Sequence, residues 1–132
     1  MLARIKKMTT WPLLSIWLLR TEGGRDDEIE IRRTLEVNEI LHVKFTPGDS
    51  STGSIYRFKM TRSQLKRYLG NMFYSVVRDN DPFEKVQISP ITGPAIMYHV
   101  NDLQECQDAI METIEDLLYT SVTRSTASEE NE

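Results

Sequence analysis

The hydrophobic pattern of this chain changes its period near residue 60. Between residues 28 and 60, apolar and polar residues mostly alternate, whereas between 62 and 78 the apolar residues recur every three or four positions. The first pattern is typical of strands with one solvated side, and the second is typical of a helix that buries one side. Since each has an apolar surface to bury, the chain is expected to pack a sheet against a helix.

Four strands are predicted before the change of period. Residues 11–19 are apolar on both sides, which indicates a central strand or a strand at a subunit interface. The next three strands cover 28–37, 40–46 and 55–60, and each has one apolar side. The predicted inward residues are Ile29, Ile31, Leu35, Val37, Leu41, Val43, Phe45, Tyr56, Phe58 and Met60.

The helix over residues 62–78 is the clearest element in the sequence. Thr61 and Gln64 have the spacing of a capping box, and Pro82 lies just beyond the predicted end. Gly70 falls on its polar side, where a close neighbour or a ligand could explain it, as could plain tolerance. The predicted buried stripe is Leu65, Tyr68, Leu69, Met72, Phe73, Val76 and Val77.

The second half of the chain repeats the change from strand to helix. Val86 and Ile88 mark a fifth strand, residues 96–100 a sixth, and Asn101 is predicted to cap a second helix over about 102–120. Residues 1–10 are interpreted as a loose basic arm. Residues 121–132 lack apolar periodicity, so we expect a disordered acidic tail.

The resulting order is ββββα followed by ββα. Sequential strands on short connections favour antiparallel pairing. We therefore expect one α+β domain over residues 11–120, in which a mainly antiparallel sheet of about six strands packs against two amphipathic helices. The order resembles, in topology alone and without a shared sequence motif, the ββββα units of whirly-type and Pur-type single-strand binders.

Charge is divided unequally along the chain. Residues 1–78 hold 14 Lys and Arg against 8 Asp and Glu, whereas residues 79–132 hold 2 against 12. The net charge of −4 therefore conceals a basic half and an acidic half. Such asymmetry favours a polyanion-binding surface beside an acidic segment.

The outward positions of the middle strands and of the first helix form the candidate binding surface. Lys and Arg gather phosphate oxygens, and their binding releases counterions. Glu28, Glu30 and Glu36 share the outward side and reduce its positive potential, so an ordinary solvated surface of mixed charge is the alternative. The candidate nucleic-acid-binding residues are Arg32, Lys44, Arg57, Lys59, Arg62, Lys66 and Arg67, with His42 on the same side of the sheet.

No pattern in the sequence predicts a catalytic site, a metal site or a cofactor. His42 and His99 are the only histidines, and neither has ligand spacing from other metal-binding residues. Cys106, the single cysteine, lies on the apolar stripe of the second helix, where a buried thiol is favoured over a nucleophile. An enzyme whose site is built from residues far apart in the sequence is the least favoured hypothesis for the function of this chain.

The N-terminus has the basic and then apolar character of a secretory signal. Arg20 closes the apolar run, no A-x-A-like site follows, and the run is too short to span a bilayer. These departures from a secretory signal, together with the single cysteine, favour an intracellular protein, cytoplasmic or nuclear, without a membrane partner.

The favoured function is a small non-catalytic nucleic-acid-binding protein, with single-stranded nucleic acid as the expected ligand. The alternative is a protein–protein adaptor or a homo-oligomeric assembly subunit, because the first strand is apolar on both sides and the two halves carry opposite charge. Under either hypothesis a homo-oligomer or a protein partner is expected.

Overall fold

The computed structural model describes residues 10–20, 26–34, 40–48, 53–78 and 83–130, with side chains up to Tyr119 in the last helix. It confirms the α+β fold with a six-stranded antiparallel sheet and two helices. The elements are β1 (Thr10–Arg20), β2 (Asp27–Thr34), β3 (Leu41–Thr46), β4 (Tyr56–Met60), α1 (Arg62–Arg78), β5 (Phe83–Pro90), β6 (Ile96–His99), a 3-10 turn (Val100–Asp102) and α2 (Leu103–Glu130).

The sheet has the strand order β4-β3-β2-β1-β5-β6, and every neighbouring pair is antiparallel. β1 therefore lies at the centre, as one of the two interpretations of its doubly apolar sequence predicts. Its Leu14, Ile16 and Leu18 are buried on one side, whereas Trp17 and Leu19 are partly exposed on the other.

One side of the sheet, named here the helix face, holds the hydrophobic core. Ile16 pairs with Ile29 of β2 and Ile88 of β5, and all three are fully buried. Both helices pack on this face. Their buried side chains in the core are Leu65, Leu69, Phe73 and Val76 from α1 and Leu103, Cys106, Ile110 and Ile114 from α2.

α1 begins with the predicted capping box. The Thr61 backbone N–H donates to Gln64 Oε1 at 2.9 Å, and the Gln64 backbone N–H donates to Thr61 Oγ1 at 3.2 Å. Two backbone donors at the start of the helix are thereby satisfied. This fixes where the chain leaves β4 and turns onto the helix face.

The two helices contact each other closely near Gly70. Gln107 Nε2 donates to the Lys66 carbonyl oxygen at 2.7 Å, and a Cβ built on Gly70 would lie 3.1 Å from that same nitrogen. A side chain at position 70 would therefore press on Gln107. A close neighbour, here Gln107 of α2, therefore accounts for a glycine on the polar side of α1.

Two details of the helix predictions are wrong. Asn101 does not cap α2, because it lies within the 3-10 turn that follows β6, and α2 begins at Leu103. Val77 is 55% exposed whereas the adjacent Val76 is buried, so the side of α1 that packs on the core includes position 76 but not position 77.

α2 also continues in helical conformation to Glu130, beyond the end predicted near residue 120. No apolar stripe follows Leu118 in the sequence, so the hydrophobic period could not reveal this extension. The predicted disorder of the acidic segment 121–132 stays a prediction. The predicted basic arm falls almost entirely outside the described residues, as do Leu35 and Val37.

The carboxylate of Asp27 is buried on the helix face. Asp27, 6% exposed, forms an ion pair with Arg20 and accepts a hydrogen bond from the Gly48 backbone N–H. A buried carboxylate with these partners joins the ends of β1, β2 and β3. Within the described chain, neither helix is long and apolar enough to cross a membrane.

Candidate functional site

The other side of the sheet, named here the open face, is covered by neither helix. The register places basic side chains side by side across three strands of this face: Lys44 pairs with Arg57, and His42 pairs with Lys59 on one side and Arg32 on the other. Directly opposed side chains have Cβ atoms about 5 Å apart. The predicted outward positions of β2, β3 and β4 therefore converge on one surface.

These residues surround a concavity of about 490 Å³, named here the basic concavity. It lies over β2, β3 and the edge strand β4. Its lining residues are Glu30, Arg32, His42, Val43, Lys44, Arg57, Phe58 and Lys59.

Three of the lining cations are not engaged in an ion pair within the part of the chain that the structure describes. Lys44, Arg57 and Lys59 form no ion pair and no side-chain hydrogen bond with any described residue. Like charges placed directly opposite each other on a sheet are destabilising. The arrangement therefore leaves a local excess of positive charge that an anionic ligand would neutralise.

Arg32 is held more firmly than the other three cations. Its Nε donates to Thr10 Oγ1 at 3.2 Å, and its Nη2 donates to the Thr10 carbonyl oxygen at 3.1 Å. Its Nη1 lies 3.6 Å from Glu30 Oε1. Arg32 thus forms a fixed wall of the basic concavity and partly neutralises the one carboxylate that lines it.

The three helix residues of the predicted site lie elsewhere. Arg62, Lys66 and Arg67 belong to α1, which packs on the helix face, so the sheet separates them from the basic concavity. Arg62 also forms an ion pair with Glu115 at 3.3 Å. The predicted surface is therefore divided into a sheet group and a helix group that do not meet.

The acidic residues from the 3-10 turn to Asp116 of α2 likewise lie on the helix side of the molecule. All six are exposed, and none lines the basic concavity. Cations therefore predominate around the basic concavity, whereas the helix layer combines these carboxylates with the cations of α1. The residues are Asp102, Glu105, Asp108, Glu112, Glu115 and Asp116.

Trp17 is a candidate residue that the sequence pattern left unassigned. It pairs with Glu28 of β2 and Gln87 of β5 on the open face, where it is partly exposed. Trp11, by contrast, pairs with Arg33 on the helix face. An even spacing of six residues normally keeps two side chains on one side of a strand. The register shift between Pro12 and Leu14 places the two tryptophans on opposite sides.

The concavity contains one pair of groups that acid–base chemistry could use. His42 and Glu30 both line it. Glu30 lies beside Arg32, however, and His42 forms no hydrogen bond with a carboxylate in the described part of the chain. Among those same residues, no group of three His, Cys, Asp or Glu side chains is placed to hold a metal ion.

Cys106 is fully buried in the core, and burial raises the pKa of its thiol to about 12. The reactive thiolate is therefore scarce in the folded protein.

We expect the Cys106 thiol of the native protein to react with a disulfide reagent at pH 8 at least about 100-fold more slowly than after unfolding, because the raised pKa lowers the thiolate fraction. Absorbance of the released thiol measures both rates. Equal rates in native and denaturing buffer would show that Cys106 is accessible.

Comparison with protein-family models, with curated proteins and with solved structures found no match. Function is therefore inferred from the open face itself.

Proposed function

We propose that this protein binds nucleic acid, without catalysing a reaction, through the basic concavity of the open face. The observation that supports this proposal is the group formed by Lys44, Arg57 and Lys59, three cations around a single concavity that form no ion pair with the described residues. Protein cations without internal partners exchange small counterions for phosphate oxygens, and the release of those counterions drives binding. An intracellular setting, cytoplasm or nucleus, would suit this role.

The charge distribution also favours one orientation of the ligand. The whole chain carries a net charge of −4, so its overall charge does not attract a polyanion. The helix layer combines the exposed carboxylates of α2 with the cations of α1, whereas cations predominate around the basic concavity of the open face. At a Debye length of about 10 Å near 0.1 M salt, the local face outweighs the far side of the molecule. A polyanion is thus expected to approach the open face.

The test is equilibrium binding of a fluorescently labelled single-stranded oligonucleotide, followed by anisotropy across a salt series. Neutralising three phosphates of a single strand gives a slope of log affinity against log salt of about −2. The expected result is therefore measurable affinity at low salt that weakens with this slope. Absence of binding at low salt, or affinity that does not respond to salt, would overturn the proposal.

Self-assembly is a second candidate function, and the edge strand β6 favours it. Ile96 and Met97 are 43% and 51% exposed there, and Ile91 in the preceding turn is 58% exposed. The opposite edge strand, β4, carries Arg57 and Lys59, which would repel the same strand of a second copy. Residues 96–98 of β6 carry no charge, so two copies could pair along this edge without repulsion.

Light scattering at several protein concentrations tests the β6 edge. A dimer that dissociates on dilution, and that Met97→Lys abolishes, is the expected result if two copies pair there. The matched variant Lys59→Met leaves β6 unchanged and should not prevent dimerisation. A monomer at every concentration would reject assembly through β6. If that monomer also had no affinity for nucleic acid, the remaining hypothesis would be an adaptor that binds a different protein.

A further inference from the structure

On the basis of the proposed function, we propose further that the open face is specific for single strands: the sugar–phosphate backbone lies over β3 and β4, and the bases turn across β2 to stack on Trp17. The open face is cationic at its β4 edge and carries an aromatic ring, Trp17, at its centre. This difference sets the direction in which a nucleotide can lie.

The β3–β4 side of the open face carries Lys44, Arg57 and Lys59, whereas β2 carries Glu28 and Glu30 together with Arg32. Lys44 of β3 pairs with Arg57 of β4 on one side and with Glu30 of β2 on the other. Glu28 is the next outward residue of β2 and accepts a hydrogen bond from Ser15 Oγ at 3.3 Å. Phosphates are attracted to the first region and repelled from the second. The backbone of a bound strand is therefore expected to follow β3 and β4.

The centre of the open face suits bases better than phosphates. Trp17 lies on β1 between Glu28 and Gln87 and is partly exposed. Carboxylates can accept hydrogen bonds from base amino groups, and an aromatic ring provides a surface for base stacking. β1 lies two strands from β3, about 10 Å away. A nucleotide whose phosphate lies over β3 can therefore direct its base towards Trp17.

The same division of charge disfavours a duplex. A duplex presents two lines of phosphates, and its bases are paired and stacked internally. Laid on the open face, its second phosphate line would meet Glu28 and Glu30, and no base would be free to reach Trp17. The geometry points to unpaired bases.

Trp17 fluorescence provides a direct measurement, because the chain contains only two tryptophans. Trp11 is 45% exposed on the helix face, so Trp11→Phe leaves Trp17 as the single reporter with little expected disturbance. In this background, a single-stranded oligonucleotide is expected to quench or shift Trp17 emission at saturation. The duplex of the same sequence is expected to bind more weakly and to leave the emission unchanged.

Substitution of Trp17 separates stacking from charge. Trp17→Ala is expected to weaken single-strand binding by about 5- to 150-fold, the usual effect of removing one stacking aromatic, with the same salt slope. Trp17→Phe retains a ring and is expected to recover most of the affinity. It also serves as the control for folding if the alanine variant is unstable.

The outcomes distinguish this inference from the proposed function. If no labelled strand binds at any salt concentration, the proposed function is wrong. If binding shows the expected salt slope but Trp17 emission does not change and Trp17→Phe and Trp17→Ala bind equally, nucleic-acid binding stands and stacking on Trp17 is rejected. Equal affinity for single strand and duplex would likewise reject single-strand specificity.

Discussion

Replacing both Arg57 and Lys59 with glutamate is expected to lower affinity for a single-stranded oligonucleotide by about 100-fold or more near 0.1 M salt. The double variant removes two of the three unpaired cations of the basic concavity and places carboxylates where phosphates are expected to bind. Fluorescence anisotropy with the same labelled strand measures the change. The slope of log affinity against log salt is expected to become shallower at the same time.

The fold is expected to tolerate this change. Arg57 and Lys59 are exposed on an edge strand, opposite Lys44 and His42. Glutamate at position 57 would replace a like-charged pair with an opposite-charged one, which favours the folded sheet by a small amount. Thermal unfolding followed by circular dichroism is therefore expected to show an unchanged or slightly raised midpoint.

A matched control is available on α1. Replacing Lys66 and Arg67 with glutamate produces the same change in net charge, but these exposed residues lie across the sheet from the basic concavity. This variant is expected to bind within about threefold of the wild type, because salt screens charges farther apart than a Debye length. An equal loss of affinity in both double variants would show that net charge, and not the open face, controls binding.

Ile16→Ala is expected to cause the largest loss of stability among conservative core substitutions. Ile16 is fully buried on the central strand, between Ile29 and Ile88. Truncating a buried isoleucine removes apolar contacts and leaves a cavity, at a cost of about 2–5 kcal/mol in the free energy of unfolding. Since small domains are stable by about 5–15 kcal/mol in total, urea unfolding is expected to occur at a much lower midpoint.

Ile96→Ala is the matched control, because it makes the same substitution at an edge position that is 43% exposed. Its cost is expected to stay below about 1 kcal/mol, as is usual for a partly solvated side chain. If the two variants unfold at the same urea concentration, Ile16 does not lie at the centre of the core and the register of β1 is wrong.

The sequence was sufficient to assign faces within β2, β3 and β4. Alternation with a period of two separates Ile29, Ile31 and Val43 from Lys44 and Arg57 without knowledge of which strands are neighbours. The same is true of α1, where the helical period and the capping box are local features. These predictions succeeded because each depends on residues close together in the chain.

The arrangement of the elements required the structure. Alternation shows which side of a strand is apolar, but it does not show that α1 packs on the side of the sheet opposite Lys44. For this reason the sequence prediction grouped Arg62, Lys66 and Arg67 with the sheet cations. The register shift near Leu13 left no pattern in the sequence, so Trp17 could not be assigned to the open face. Tyr56 and Phe58 have the predicted parity but stay exposed, because β4 is an edge strand.

The most direct test of the account is nuclear magnetic resonance mapping of the bound surface. A single-stranded oligonucleotide is titrated into isotopically labelled protein, and backbone amide and tryptophan indole signals are followed. The account predicts that the largest shifts occur in β3, in β4 and at the Trp17 indole, whereas signals of α1 and of the Trp11 indole change little. Shifts concentrated in α1 or α2, with β3 and β4 unaffected, would contradict it.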